Sequence, residues 1–314
     1  MKKKKRQINI AIILGFYNGN KYISEQVESI ICQTHKNFKL FIFDDNSNEK
    51  INNSNINFLK NKYSNITIIK RKVNLGFAKN FLQGLKDVGS NFDYYAFSDQ
   101  DDIWEKNKLE ISLAKILKQN LSNSVLYSSR TAYYSSNCSK EISSSKVFKR
   151  KLNFKNSLIQ NIAGGNTILM NKKARNLVVN SLNSDNYISH DWWCYQIISA
   201  AGGEIIFNPD KTVKYRQHDN NIIGGNQGFK EIFKRLNKFF SGKFSEWSEL
   251  NIKNLNRNKD LFKKNNLKTL KYFQKARESR NILKKLIFYL KSGVFRQSRI
   301  ESLIFFIGVI FNKI

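Results

Sequence analysis

Short apolar runs alternate with segments of helical spacing over the first two thirds of the chain. Residues 8–14, 40–43, 66–69 and 94–97 have strand length and are almost continuous in apolar side chains, the pattern of strands buried on both faces. Between them, residues 22–34 and 78–88 place their apolar positions three and four apart, which predicts helices. Strand–helix alternation of this kind builds an α/β fold with a mainly parallel sheet flanked by helices, where ligands gather at the carboxyl ends of the strands. Three polar clusters fall at such ends: Asn18, the pair Asp44 and Asp45, and the acids at 99, 101 and 102.

The pattern then loosens. Residues 128–150 are rich in Ser, Tyr and Lys and read as a surface excursion, residues 166–170 as a strand and residues 188–201 as a helix. After Gly224 and Gly225 the character changes: from Phe229 onward the spacing is helical, with 21 Lys and Arg against six acids and no repeat or glycine-rich fingerprint. A boundary near 226 divides the chain into a domain over 1–225 and a basic helical region over 226–314. Within that region, residues 282–290 mix Leu, Ile, Phe and Tyr with Lys284 and Lys285, and residues 303–311 are apolar apart from Gly308. Such segments are too short to span a bilayer and long enough to lie along one, where each basic residue near anionic lipid adds about 1 kcal/mol. They predict peripheral attachment to a membrane surface. The alternative is a helical cap packed on the first domain, or on a second copy of the chain in a homo-oligomer.

Composition refines this picture in two places. With 314 residues and 41% hydrophobic content the chain can bury a sizeable core, and its formal net charge is +30. Asn, Ile and Lys are abundant and Pro209 is the single proline, a bias that inflates the charge, and no nucleic-acid-binding motif is present. A nucleic-acid partner is therefore not expected, although a basic, non-enzymatic nucleic-acid-binding protein is the rival from another class. Cys32, Cys138 and Cys194 lack paired spacing, which fits a reducing compartment and neither a disulfide framework nor a zinc site. The basic residues 2–6 followed by apolar 8–16 imitate a secretory signal, but no small-residue cleavage site follows and Tyr17-Asn18-Gly19-Asn20 is polar, so the segment reads as a first strand. No apolar stretch reaches the roughly 18 residues that a membrane span needs, and the expected location is cytoplasmic, on the inner membrane face.

The segment Phe97-Ser98-Asp99-Gln100-Asp101-Asp102-Ile103-Trp104 sets three carboxylates in four positions directly after an apolar run. Two carboxylates 4 Å apart repel by roughly 4 kcal/mol at an effective dielectric near 20, so a partly buried cluster calls for a cation. Hard oxygen ligands suit Mg²⁺ or Mn²⁺ beside a diphosphate. The plainer alternative is a solvated acidic turn that caps a helix starting near Glu105.

These segments together resemble the family 2 glycosyltransferases, and within them the bacterial rhamnosyltransferase-like branch that builds surface polysaccharides. The matching residues are Phe16-Tyr17-Asn18-Gly19 with Tyr22 and Glu25-Gln26; Phe43-Asp44-Asp45-Asn46-Ser47; Asn74-Leu75-Gly76-Phe77 with Asn80-Phe81; the acidic segment; Gly165-Asn166-Thr167; His190-Asp191-Trp192-Trp193; and Tyr215-Arg216-Gln217-His218. They run in the family's order over roughly residues 8–225.

The resemblance implies a GT-A fold, a nucleotide-diphosphate sugar donor, a divalent metal cofactor and inversion at the sugar carbon. It puts Tyr17, Asn18, Asp45, Asn74 and Gly76 beside the nucleotide and diphosphate. Asn46 stands where the family usually has glycine, and Asn tolerates the same left-handed turn. Asp101 is the expected direct metal ligand, with Asp99 contacting the ribose or the metal through water, Asp102 orienting the loop and Trp104 packing beneath. His218 is a second metal candidate or a structural histidine, and Arg216 adds positive charge near the phosphates. Asp191 is the expected general base, with Trp192 and Trp193 offering an aromatic face to the acceptor; the alternative is a helix cap over core tryptophans. Gly165 and Asn166 would line the acceptor side, or simply lead into a strand. The donor sugar implied by this branch is rhamnose as its deoxythymidine diphosphate, with a uridine diphosphate hexose as the alternative, and the acceptor is a growing glycan or a lipid-linked one.

Overall fold

The computed structural model describes residues 7–48, 61–218 and 242–311. In chain order its elements begin β1 (Ile10–Phe16), α1 (Ile23–Ile31), β2 (Phe38–Asp44), β3 (Ile66–Lys70), α2 (Phe77–Asp87), β4 (Tyr94–Ser98), β5 (Ile103–Trp104), α3 (Lys108–Ile116), β6 (Val125–Tyr134) and β7 (Glu141–Ser144). They continue with α4 (Phe154–Ser157), β8 (Leu169–Asn171), α5 (Lys172–Asn180), α6 (His190–Ala200), β9 (Glu204–Arg216), α7 (Lys243–Asn256), α8 (Lys264–Glu278), α9 (Ile282–Ser292) and α10 (Arg299–Ile310). The strands form one sheet in the order β3-β2-β1-β4-β8-β6-β9-β5, with β7 paired to β6.

The first half of this order places the site. β1 lies between β2 and β4, parallel to both, with Phe16 opposite Asp44 and Leu14 opposite Ser98. The chain winds outward from β1 to β2 and β3, then crosses back to β4 on the other side. That reversal is a topological switch point, where the loops leaving neighbouring strands diverge and open a crevice. Because the strands end in register, the residues after 16, 44 and 98 emerge at one edge of the sheet.

Period-two alternation divides the core into two faces. Ile10, Ile12 and Leu14 of β1, with Leu40, Ile42 and Ala96, pack against Ile23, Val27 and Ile30 of α1 and Leu109, Leu113 and Ile116 of α3. Ala11 and Ile13, with Phe41, Phe43, Tyr95 and Phe97, face the opposite way onto Phe81 and Leu85 of α2 and onto α5 and α6. The C-terminal helices contribute Ile252, Leu255, Leu270, Phe273, Phe305 and Val309 to this same second core. The boundary expected near 226 falls outside the described residues.

Three expectations change. Residues 128–134 are not a surface excursion: they belong to β6, whose residues 125–129 are all buried and which pairs in parallel with β9 along its whole length. Its buried serine hydroxyls are satisfied internally, Ser128 Oγ donating to Ile206 O at 3.4 Å and Ser129 Oγ lying 2.6 Å from the Thr212 hydroxyl of β9. Residues 166–170 open as a single 3₁₀ turn over 165–167 before the short β8. The helix expected near Glu105 begins at Lys108, because Ile103 and Trp104 pair with β9 first.

Candidate active site

The loop after β1 is fastened to the loops on both sides of it. Asn18 and Asn46 adopt left-handed backbone angles, φ 47° and 61°, the conformation for which Asn substitutes for glycine. Asn18 N donates to Ser47 Oγ at 3.0 Å and Asn48 N donates to Asn18 Oδ1 at 3.0 Å. Gln100, inside the acidic segment, accepts from Tyr17 N at 2.8 Å and donates to Tyr17 O at 3.2 Å. Asp44 makes the local turn by accepting from Ser47 N. Asp45 instead spans to the loop before α2, accepting from Leu75 N at 2.7 Å and Gly76 N at 2.9 Å. Gly76 has φ 78°, and Asn74 Oδ1 accepts from its amide as well. Tyr17, Asn18, Asp45, Asn74 and Gly76 are thus one connected rim, with the Tyr17 ring exposed to solvent.

The acidic loop is held from beneath by fully buried polar groups. Gln26, in the amide orientation that satisfies every partner, donates to the Asp102 carbonyl and accepts from Trp104 Nε1 and the Ser98 hydroxyl. Asn166 Nδ2 donates to Asp102 Oδ2 at 2.5 Å. Lys108 Nζ sits 3.6 Å from the centre of the Trp104 ring, and among the described residues neither it nor Asp102 Oδ1 has a hydrogen-bond partner. Burial pulls the Lys108 ammonium down to about 7, against the attraction of Asp102. Asp102 is raised well above the usual carboxylate range by desolvation and then by Asp99 and Asp101, with the Asn166 hydrogen bond opposing. Asp99 is pushed up to about 8 by desolvation, by Asp101 and by Asp191. Four carboxyl groups from two distant segments therefore share one poorly solvated cleft.

The end of β9 closes the cleft from the side. His218 Nε2 lies 2.8 Å from Asp101 Oδ2, and its ring stacks on Tyr22 at 5.1 Å. Arg216 is buried and its guanidinium is committed to the protein: Nε donates to Asp101 O at 2.9 Å, Nη1 to Ser136 O at 2.6 Å and Nη2 to Glu25 Oε2 at 2.6 Å. Arg216 is expected from its motif to add positive charge near the phosphates; its side chain sets the backbone of the acidic loop, with its charge beside Asp101.

Opposite lies the start of α6, capped by Ser189, whose side chain accepts from Trp192 N. Asp191 is in the first helical turn, buried, with Oδ1 accepting from Trp192 N at 2.7 Å and Oδ2 making no hydrogen bond among the described residues. His190 is wedged face-on against Phe81 at 4.1 Å and edge-on to Phe97 at 4.9 Å, and neither ring nitrogen has a hydrogen-bond partner among the described residues. Burial lowers it to about 4 despite Asp191. The backbone of Gly165 passes so close that a Cβ there would lie 2.5 Å from His190 Nε2 and 3.6 Å from Asp191 Cβ.

Two more expectations give way at this point. Trp192 and Trp193 are core residues, not an acceptor platform: both are buried, with their indole N–H groups donating to Ser157 O at 2.7 Å and Ser181 Oγ at 3.0 Å. Asn166 is also turned inward, onto Asp102, leaving Gly165 as the residue of that pair beside Asp191. Gln26, Lys108 and Glu25 have roles the motifs did not assign. Gln26 carried a signal, because it sits on the buried stripe Ile23, Val27 and Ile30 of α1, where an amide must have partners.

The donor set suits a hard divalent cation. Asp101 and His218 offer an oxygen and a ring nitrogen side by side, and the crowded acids want positive charge. Among the described residues no group of three or more His, Cys, Asp or Glu side chains is assembled that could hold a metal ion.

A nucleotide-sugar-dependent glycosyltransferase is the class that this sheet and this acid-lined switch point define. Residues 11–178 match the sequence profile of glycosyl transferase family 2. The dTDP-rhamnosyl transferase RfbG of Shigella flexneri is 31% identical over 231 residues, covering 71% of this chain and 78% of that protein. The UDP-Glc:alpha-D-GlcNAc-diphosphoundecaprenol beta-1,3-glucosyltransferase WfgD of Escherichia coli is 34% identical over 113 residues, 36% of this chain and 43% of that one. The S. aureus TarS 1–349 structure in complex with UDP-GlcNAc shares the fold at a TM-score of 0.55 and 16% identity, covering 96% of this chain and 82% of TarS 1–349. The mannosyltransferase PcManGT of Pyrobaculum calidifontis, in complex with GDP-Man and Mn²⁺, gives 0.50 at 14% identity over 68% and 58% of the two chains. The chain belongs to glycosyl transferase family 2.

Proposed function

We infer that the protein transfers a single sugar, rhamnose in the first instance, from its deoxythymidine diphosphate donor to a growing cell-surface polysaccharide or a lipid-linked glycan, with inversion. Residues 1–225 carry the reaction, and the basic region 226–314 follows, helical over its described part from Lys243 to Ile310. The observation that carries this reading is the convergence of Asp99, Asp101 and Asp191 on one cleft, where both other acids raise the Asp99 carboxyl, with His218 Nε2 2.8 Å from Asp101 Oδ2. The name of the Shigella flexneri relative supports dTDP-rhamnose; those of WfgD and of the TarS complex support a UDP-hexose as the second reading.

In this reading the Asp45 rim holds the nucleotide through the Leu75 and Gly76 loop, and Tyr17 covers it. Asp191 Oδ2 takes the proton of the acceptor hydroxyl as that oxygen forms its bond to the anomeric carbon, while the bond from that carbon to the diphosphate breaks and the nucleoside diphosphate departs with its electron pair. One base opposite the leaving group suffices for direct displacement, so the configuration inverts. Asp101 and His218, with Asp99 nearby, would hold Mg²⁺ or Mn²⁺, which when bound neutralises charge on the departing diphosphate. A nucleotide-sugar donor with a lipid-linked acceptor sets the work on the cytoplasmic side of the membrane.

Donor turnover with dTDP-rhamnose and UDP-glucose, with and without chelator, tests the reading. Asp101→Ala and Asp191→Asn should each lower turnover by about 10²-fold or more, with Asp101→Ala also abolishing the metal response. Turnover indifferent to chelator and to both substitutions would overturn it.

A further inference from the structure

Two adjacent helices near the end of the described chain carry apolar stripes that no part of the described protein covers. α9 buries Lys285, Tyr289 and Ser292 against the core, yet Leu283, Ile287 and Leu290, four and three residues apart on its outward side, are exposed, Leu283 by 71%. α10 buries Phe305, Gly308 and Val309, while Ile300, Leu303, Ile307 and Phe311 recur along its other side, Ile300 being 72% exposed. The helices are joined through Tyr289, which stacks on Phe305 and meets Phe306. A helix apolar on its outward as well as its inward side belongs in a core or in lipid. The clustering is marked: of fifteen large apolar side chains exposed among the described residues, eight lie on or at the end of these two helices.

The charge around them selects the cover. Residues 264–311 contain eleven Lys and Arg against two acids, Glu278 and Glu301, and Lys284 and Lys291 flank the α9 stripe. An open groove of about 480 Å³ beside it is lined by Lys275, Glu278, Ser279, Lys284, Ile287 and Phe288. A second copy of the chain would set like charge against like, whereas an anionic bilayer offers acyl chains to the stripes and phosphates to the lysines. We propose that α9 and α10 lie in the headgroup region of an anionic membrane and hold the enzyme on its surface. The proposal is independent of the donor and the acceptor.

The test is cosedimentation of the full chain with vesicles of phosphatidylcholine alone and of phosphatidylcholine mixed with phosphatidylglycerol. Binding should require phosphatidylglycerol and weaken with salt. Lys284→Gln and Lys291→Gln should each weaken it about fivefold, and the triple substitution Leu283→Gln, Leu290→Gln, Leu303→Gln should reduce it by more than about tenfold. Since all five positions are exposed, the thermal midpoint and donor turnover in solution should not change. Failure to bind anionic vesicles, or binding indifferent to the leucine substitutions, overturns the proposal. So does a wild-type dimer that the triple variant converts to monomer, because the stripes are then covered by a second copy.

Discussion

Replacing Gly165 by alanine tests the geometry on which Asp191, the proposed base, depends. The new Cβ would stand 2.5 Å from His190 Nε2 and 2.9 Å from Cε1, so the imidazole must retreat by about 1 Å to reach ordinary van der Waals distance. It has nowhere to slide, with the Phe81 ring against its face and the Phe97 ring across its edge. The displacement must pass into the backbone at the start of α6, and Asp191 is the next residue. Overpacking of this kind costs about 1–3 kcal/mol, or roughly 2–4 °C in thermal midpoint per kcal/mol for a domain of this order of size. A 1 Å shift of a catalytic group lowers turnover about 10²-fold. Gly164→Ala is the matched control: its Cβ would approach nothing closer than Asn166 Oδ1 at 3.4 Å, and its φ of −60° suits alanine. Steady-state donor turnover and thermal melting of the two variants decide the matter. Wild-type turnover in Gly165→Ala, or equal damage in Gly164→Ala, would refute the argument.

Two further outcomes follow from burial. Trp193→Phe, which removes the indole hydrogen bond to Ser181 and leaves a void in the second core, should lower stability by about 1–3 kcal/mol in urea melts and leave the acceptor KM unchanged; a raised KM at unchanged stability would restore an acceptor role. His190 is held near 4 in the folded protein against an ordinary 6.5, so the unfolded chain binds the proton first and stability present above about pH 6.5 is lost as pH falls toward 4. Relative to His190→Asn, the wild type should lose about 2.5 kcal/mol between about pH 7.5 and about pH 4.5, and a pH-independent difference would contradict it.

The first third of the fold was legible because its strands are buried on both faces and write their burial directly as continuous apolar runs. β6 and β9 were hidden for the opposite reason. Ser128 and Ser129 are buried in β6 by pairing hydroxyls with neighbouring groups, which composition registers as a loop, and β9 carries Pro209 where the register skips from Asn208 to Lys211 against Ser129 and Arg130. At the site, acids after strand ends were readable, since few other arrangements place carboxylates there. The direction in which a side chain points was not: Trp192, Trp193, Asn166 and Arg216 sit within the right motifs but turn into the protein, and only the packing of α6 on the core and the arrival of β9 decide that.

The hold of Arg216 on Asp101, Ser136 and Glu25 has a consequence for the order of assembly. The family profile ends at 178, so a nascent chain released to that point carries Asp99, Asp101 and Asp102 and most of its sheet, but not Asp191. It still lacks the cation that ties the 101 carbonyl to the first helix and the imidazole beside Asp101. Synthesis must run nearly forty residues further before the acidic loop is locked between the first helix and the last strand of the sheet.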